Sequence, residues 1–204
     1  MLKDMEKSVF DPQEQVGNMD AKIVVALERI SEVFRVALWN TGKEHGLSPL
    51  QIQLLIFLQF HSSEKCKVSY LAQEFSLSKP TISEAVRTLL KKDLIDKETN
   101  PVDTRSYSIS LTDAGKKLVN QVASFANGLQ PALGSWSNDQ KSNFYGDLLQ
   151  LIANLQKLGF ISVQRSCMNC RFFRKDEGGA YCKLLKMPLK TQDLRVDCLE
   201  FEEG

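Results

Sequence analysis

The sequence predicts a mainly α-helical fold with one small β-hairpin, followed at its C-terminal end by a compact cysteine-rich module. Three observations support this. Apolar residues recur at steps of three and four through most of residues 20–160, the period drops to two over residues 106–111, and all but one of the cysteines fall after residue 166. At 204 residues, 43% hydrophobic and 25% charged, the chain can bury a sizeable core and has the composition of an ordinary globular protein. No repeat recurs along it.

Ile23, Leu27, Ile30, Phe34 and Ala37, with Val24, Val33 and Leu38 beside them, mark a first amphipathic helix. It stops within "TGKEHG", where Gly42 and Gly46 punctuate the pattern. Ser48 and Pro49 then supply an N-cap and a first-position proline for a second helix reaching about Phe60. Its Leu50, Leu54, Leu55, Phe57 and Leu58 are mostly core. "KVSYLAQEFSLS" holds Leu71, Ala72 and Phe75 at the spacing of a two-turn helix. "SKPTISEAVRTLLKKD" opens on a serine cap and gathers Ile82, Ala85, Val86, Leu89 and Leu90 on one side. A short helix, a turn and a second helix with an apolar inner face form the helix-turn-helix pattern.

Two strand-like arms follow, "LIDKE" and "YSISLT", the second alternating Tyr107, Ile109 and Leu111 against Ser106, Ser108 and Ser110. A hairpin directly after a helix-turn-helix is a wing, so residues 48–112 read as a winged helix. Thr112 caps "TDAGKKLVNQVASFANGL", expected to be helical throughout, with Leu118, Val122, Phe125 and Leu129 on its apolar side. A last helix after "GSWSND" carries Phe144, Leu148, Leu151, Ile152, Leu155 and Leu158. The expected organisation is an N-terminal extension over 1–19, a main domain over 20–160 with flanking helices at 20–44 and 113–159, and a tail over 161–204. Those flanking helices are not needed to complete a winged helix. Their apolar faces therefore call for another partner, economically a second copy of the chain, unless they pack onto their own domain.

Charge and hydropathy exclude several classes. The longest apolar run, "LLIFL" at 54–58, falls far short of the roughly 20 residues of a membrane span. The opening residues have no apolar targeting core, so the expectation is a cytoplasmic protein whose clustered cysteines are metal ligands or redox groups before they are disulfides. The net charge is only +1, and residues 78–105 hold six basic against five acidic side chains. A nucleic-acid footprint would thus be local and weak. No phosphate loop, nucleophile arrangement or catalytic carboxylate pair occurs, so no enzyme activity is expected.

Motif order carries a family resemblance. A helix, a winged helix with "LSKPTIS" opening its second helix and "DTRS" in the wing, then "LTDAGKKL" and two helices, resembles the MarR family of bacterial transcriptional regulators over roughly residues 20–160. The resemblance implies a homodimer joined through the N- and C-terminal helices, acting on a pseudo-palindromic duplex DNA operator. It implies a recognition helix in the major groove and a wing arginine near the minor groove. On that helix Glu84, Arg87, Thr88 and Lys91 point away from the apolar side, with Thr81 and Ser83 on its flanks and Lys79 at its start. Arg87 suits a guanine; Thr81 and Ser83 suit phosphates or base edges. Asp103 and Arg105 fall on the family's Asp-x-Arg wing motif, the acid bracing the arginine. Glu84 is acidic where many relatives carry a basic residue. Family members often bind small aromatic effectors between the dimer helices and the winged domain.

The tail is no part of that architecture. Cys167, Cys170, Cys182 and Cys198 are separated by two, eleven and fifteen residues. The close pair lets two sulfurs converge and the later pair closes a four-sulfur shell, which would stabilise a segment too small for a large core of its own. Phe172, Phe173, Tyr181, Leu184, Leu185 and Phe201 are candidates to pack around it. Tetrahedral sulfur suits zinc and iron alike. The expectation is a zinc site, structural or sensory, with a [4Fe-4S] cluster as the alternative, since "CMNCRFF", a lone third cysteine and a distant fourth before a terminal aromatic also resemble high-potential iron-sulfur proteins. Cys66 reads as a small, partly buried residue or a redox-sensing thiol, and His45 and His61 as satisfying local hydrogen bonds at helix ends. The leading expectation is a DNA-binding regulator; an electron-transfer protein and a protein-binding winged helix are the competing ones.

Overall fold

The structure is a computed structural model that describes residues 8–99, 107–162, 165–176 and 179–204. Helix α1 (Met19–His45) starts where the Asn18 side chain accepts from the Ala21 N–H at 3.0 Å. It ends at Gly46, whose φ of 63° only glycine adopts without strain, and the Leu47 N–H turns back to the Gly42 carbonyl at 2.9 Å. Gly42 is thus no breaker. It lies inside the helix, where a side chain would drive into the Leu47 carbonyl.

A reciprocal capping box between Ser48 and Gln51 opens α2 (Pro49–Phe60). Ile52, Leu54 and Leu55 are fully buried and Phe57 and Leu58 nearly so, which makes α2 the central helix, apolar almost all round. Helix α3 (Val68–Glu74) and helix α4 (Lys79–Lys91) are joined by a turn in which Ser76 holds a φ of 51°. Strands β1 (Ile95–Thr99) and β2 (Tyr107–Leu111) pair antiparallel, Ile95 opposite Leu111. The Ile109 N–H also donates to the Cys66 carbonyl at 2.8 Å, tying the wing to the segment before α3. One core joins these elements, with Leu38, Leu71, Ile82, Leu89, Ile95, Ile109 and Val119 among its buried members.

Helix α5 (Asp113–Val122) begins as the Thr112 cap predicts and ends earlier than its apolar spacing suggests. Ser124, Asn127, Gly128 and Pro131 follow in quick succession, and the chain tightens into a 3₁₀ segment over Asn127–Leu133. The Ser124 hydroxyl donates to the Gln121 carbonyl at 3.3 Å, a local bond that competes with the helical ladder. A second capping box, Ser137 with Gln140, opens α6 (Asn138–Lys157).

The tail folds into a three-stranded antiparallel sheet, β3 (Phe173–Asp176), β4 (Gly179–Cys182) and β5 (Met187–Leu189), with β4 in the middle. Single 3₁₀ turns at Cys167–Asn169 and Thr191–Asp193 set this sheet against α6. On α6, Leu149 and Ala153 are buried, Tyr145 donates its hydroxyl to the Leu194 carbonyl at 2.9 Å, and Gly146 leaves room for Thr191. That stripe is distinct from the Phe144, Leu148, Leu151 and Leu155 side, turned from it by roughly 130° at 3.6 residues per turn. None of the Phe144 side is fully buried.

Candidate nucleic-acid interface and cysteine cavity

Helix α4 has one sealed side and one open side. Ile82, Ala85, Val86 and Leu89 are buried, whereas Lys79, Thr81, Ser83, Glu84, Arg87 and Lys91 are exposed. Ser78 caps the helix: its hydroxyl accepts from the Thr81 N–H at 3.3 Å and lies 2.8 Å from the Thr81 hydroxyl, so Thr81 is held at the first turn. Arg87 forms an ion pair with Glu84 one turn earlier, and Thr88 is half-buried, its hydroxyl turned back to the Glu84 carbonyl at 3.0 Å. Thr88 is therefore occupied inside its own helix. Lys92, though exposed, is also engaged, its ammonium donating to the Gly46 carbonyl at 2.6 Å beyond the end of α1. The α4 helix ends on Asp93, with a φ of 56°, and the Leu94 N–H closes onto the Leu89 carbonyl at 3.1 Å. The wing positions Asp103 and Arg105 lie outside the described residues. Near the wing base, Lys97 sits 4.4 Å from the Tyr107 ring centroid.

Thr112 anchors the base of the wing. Its hydroxyl donates to the Asp93 carbonyl at 2.8 Å and accepts from the Gly115 N–H at 3.0 Å. Gly115 lies against the Leu94 carbonyl, where no side chain fits. The "LTDAG" turn thus fixes the angle between α4, the hairpin and α5.

All the tail cysteines line one cavity. Cys167, Cys170, Cys182 and Cys198 surround an internal space of about 40 Å³ together with Phe172, Phe173, Leu184, Leu185 and Leu189. Three of the sulfurs receive N–H donors: Arg195 N donates to Cys167 Sγ at 3.2 Å, Leu185 N to Cys182 Sγ at 3.5 Å, and Arg195 Nη1 to Cys198 Sγ at 3.9 Å. All four thiols are half-buried and no disulfide joins them. They do not close tightly around one point. Among the described residues, no three Cys, His, Asp or Glu side chains form a group that would hold a single ion. Of the aromatic and apolar residues expected around the site, Phe172, Phe173, Leu184 and Leu185 line the cavity, Tyr181 packs under Arg174 with the guanidinium 5.6 Å from its ring centroid, and Phe201 faces a separate hollow beside Tyr70 and Glu74.

Sequence reading missed the junction between tail and winged helix. Arg165 is buried, its guanidinium forming an ion pair with Glu74 at the end of α3, donating to Asp197 at 2.8 and 3.0 Å and to the Tyr70 hydroxyl at 3.4 Å, and lying 5.2 Å from the Phe57 ring centroid. Burial opposes its charge, and the bonds to Asp197 and Glu74 outweigh that and hold Arg165 firmly protonated. Burial likewise opposes ionisation of Asp197, while Arg165 and His61 hold its carboxyl below the usual range. His61 stacks flat on Phe57, with ring centroids 3.8 Å apart, and bonds the Phe57 carbonyl at 2.9 Å and Asp197 at 3.0 Å. His61 is thus more than a local cap. No sequence period could announce this cluster, because its members come from α2, α3 and two separate stretches of the tail.

Cys66 is buried, and burial pushes its thiol from 9.0 up to about 11. It stays protonated near neutral pH, which removes the thiolate a redox sensor needs.

A helix-turn-helix with a hairpin wing, flanked by long helices, defines the class: a winged helix-turn-helix protein. The comparisons narrow it. Residues 45–106 match the model of the MarR family. An uncharacterised HTH-type transcriptional regulator of Bacillus subtilis, YvnA, is 36% identical over 66 residues, 32% of this chain; the match spans only 42% of that protein's length. Among solved structures, the Staphylococcus aureus MepR–DNA complex superposes with a TM-score of 0.57 at 24% identity, covering 65% of this chain and 96% of MepR. A MarR transcriptional regulator from Methanosarcina mazei gives 0.58 at 20% identity, covering 67% and 97%. These likenesses show the MarR-type winged-helix fold, and no helix among the described residues is long and apolar enough to cross a membrane.

Proposed function

We propose that the chain is a homodimeric MarR-type transcriptional regulator that reads a pseudo-palindromic operator with α4, and whose tail is a metal-holding module. The observation that carries this reading is the division of α4: a sealed apolar side and an open polar side ending in Lys79, Thr81, Ser83, Arg87 and Lys91. The DNA complex of MepR, with a similar fold, supports a duplex as the partner. Dimerisation is supported by the apolar groups that α1 leaves in solvent, Ile23, Val24, Ile30, Val33, Phe34 and Trp39, each more than 40% exposed. On a lone chain so many exposed apolar side chains along one helix are a liability; between two copies they can be covered. A small aromatic effector would bind beside those dimer helices.

The test is selection of a duplex from a random pool, followed by affinity measurements. Binding should weaken steeply with added salt, as counterion release requires. Arg87→Ala should lower affinity by about 1–3 kcal/mol and relax preference at one base pair. Glu84→Ala should raise non-specific affinity, because it frees Arg87 from its ion pair and removes a negative charge facing phosphate. An Arg87→Ala chain that binds as tightly and selectively as the parent sinks the groove assignment.

A further inference from the structure

The cavity leaves more room than one ion fills: about 40 Å³ lies open between the sulfurs, against the roughly 10–15 Å³ that a single water needs. A lone tetrahedral ion draws its sulfurs to about 2.3 Å of a single point, whereas a four-iron cluster takes one thiolate on each of four irons around a body of several atoms. Four cysteines around one cavity match the second demand. The walls match as well. Phe172, Phe173, Leu184, Leu185 and Leu189 make the lining mostly apolar, Asp193, Arg195 and Glu200 complete it, and N–H donors reach three of the sulfurs, which helps hold a cluster's negative charge.

The same residues that carry two of the thiols are wired to the winged helix. The Cys198 N–H donates to the Arg165 carbonyl at 2.9 Å and the Cys167 N–H to the Arg195 carbonyl at 3.0 Å, which brings the two cysteine segments together. Arg165 and Asp197, two and one residues from those cysteines, make the contacts with Glu74, Tyr70 and His61. Filling or emptying the cavity therefore bears directly on the seat of α3, the helix against which α4 packs.

We propose that this cavity holds a [4Fe-4S] cluster and that the Arg165 cluster of contacts couples its occupancy to the helix-turn-helix; its effect on operator affinity rests on the DNA-reading function proposed above. Coupling of this kind is worth typically 5–150-fold in affinity. The site is defined by the preassembled inorganic cluster, bound through four thiolates after loss of their protons, and no redox change is invoked.

The experiment uses the full chain, purified without oxygen and supplied either with sulfide and equal amounts of ferrous and ferric iron, which assemble the cluster with no net electron transfer, or with zinc alone. Iron and acid-labile sulfide should reach four each per chain, with broad visible absorbance. Cys182→Ser should abolish that loading and Cys66→Ser should leave it intact, helical circular dichroism being unchanged in both. One zinc per chain, with iron and sulfide washing off, overturns the cluster. Coupling is read in two ways. Amide exchange over residues 68–74 should quicken in the cluster-free chain, and operator affinity should differ about tenfold between the loaded and empty forms. In the Glu74→Gln, Asp197→Asn double variant, loaded to the same iron content, both differences should vanish. If exchange over 68–74 is the same with and without the cluster in the parent, the coupling is wrong. Absence of any duplex binding would count against the DNA-reading function alone, since iron content and amide exchange report on the cluster without DNA.

Discussion

At the scale of single residues, the side chains that hold this molecule together are mostly those whose role depends on a distant partner. Cys66 gives the cleanest test. The folded chain holds its thiol proton up to about pH 11 against an ordinary value of 9.0, so the folded state binds that proton more tightly than the unfolded one. Stability is then full below pH 9 and declines as pH rises through 11, by on the order of 2 kcal/mol. Urea denaturation across that range should show the decline in the parent and lose it in Cys66→Ala; the native thiol should also resist alkylating reagents at neutral pH. Gly115 is a steric case. An added methyl meets the Leu94 carbonyl of the wing base, and Gly115→Ala should cost about 3 kcal/mol or more, seen as a lowered denaturation midpoint. Glycine is required there for closeness, since its backbone angle is ordinary for a helix.

At the scale of elements, what could be read from the sequence was whatever has a period or a cap. Ser48 with Pro49, Ser78 and Thr112 announced helix starts that the structure places there, and the alternation through Tyr107–Leu111 announced the strand. Apolar spacing alone overran the end of α5, because Leu118, Val122, Phe125 and Leu129 keep helical steps across residues whose backbone preferences break the helix. The second stripe of α6 was hidden by the stronger one beside it: Tyr145, Leu149 and Ala153 offer one large aliphatic group among a polar, a small and a glycine neighbour. The arrangement of the tail sheet had no local signal beyond its cysteines. Leu149 is the residue that should report on it. Fully buried against the tail, its replacement by alanine should cost about 2–4 kcal/mol and expose the C-terminal segment to limited proteolysis before the winged helix unfolds. Simultaneous loss of both regions would show instead that they unfold as one unit.

At the scale of the whole molecule, the proposed dimer decides whether α4 can act. Two recognition helices reach successive major-groove faces only if the pairing of copies fixes their separation. Phe34→Asp places a charge in the middle of the exposed α1 side, and sedimentation should then find monomers, with operator affinity falling at least a hundredfold as the second half-site is lost. A dimer that survives this change would move the pairing surface elsewhere. The geometry of α6 also bears on how such a chain could arise. One flank of that helix receives the tail while the other stays open, so an appendage of this kind can be grafted on, altered or lost without rewriting the surface through which the proposed dimer would form.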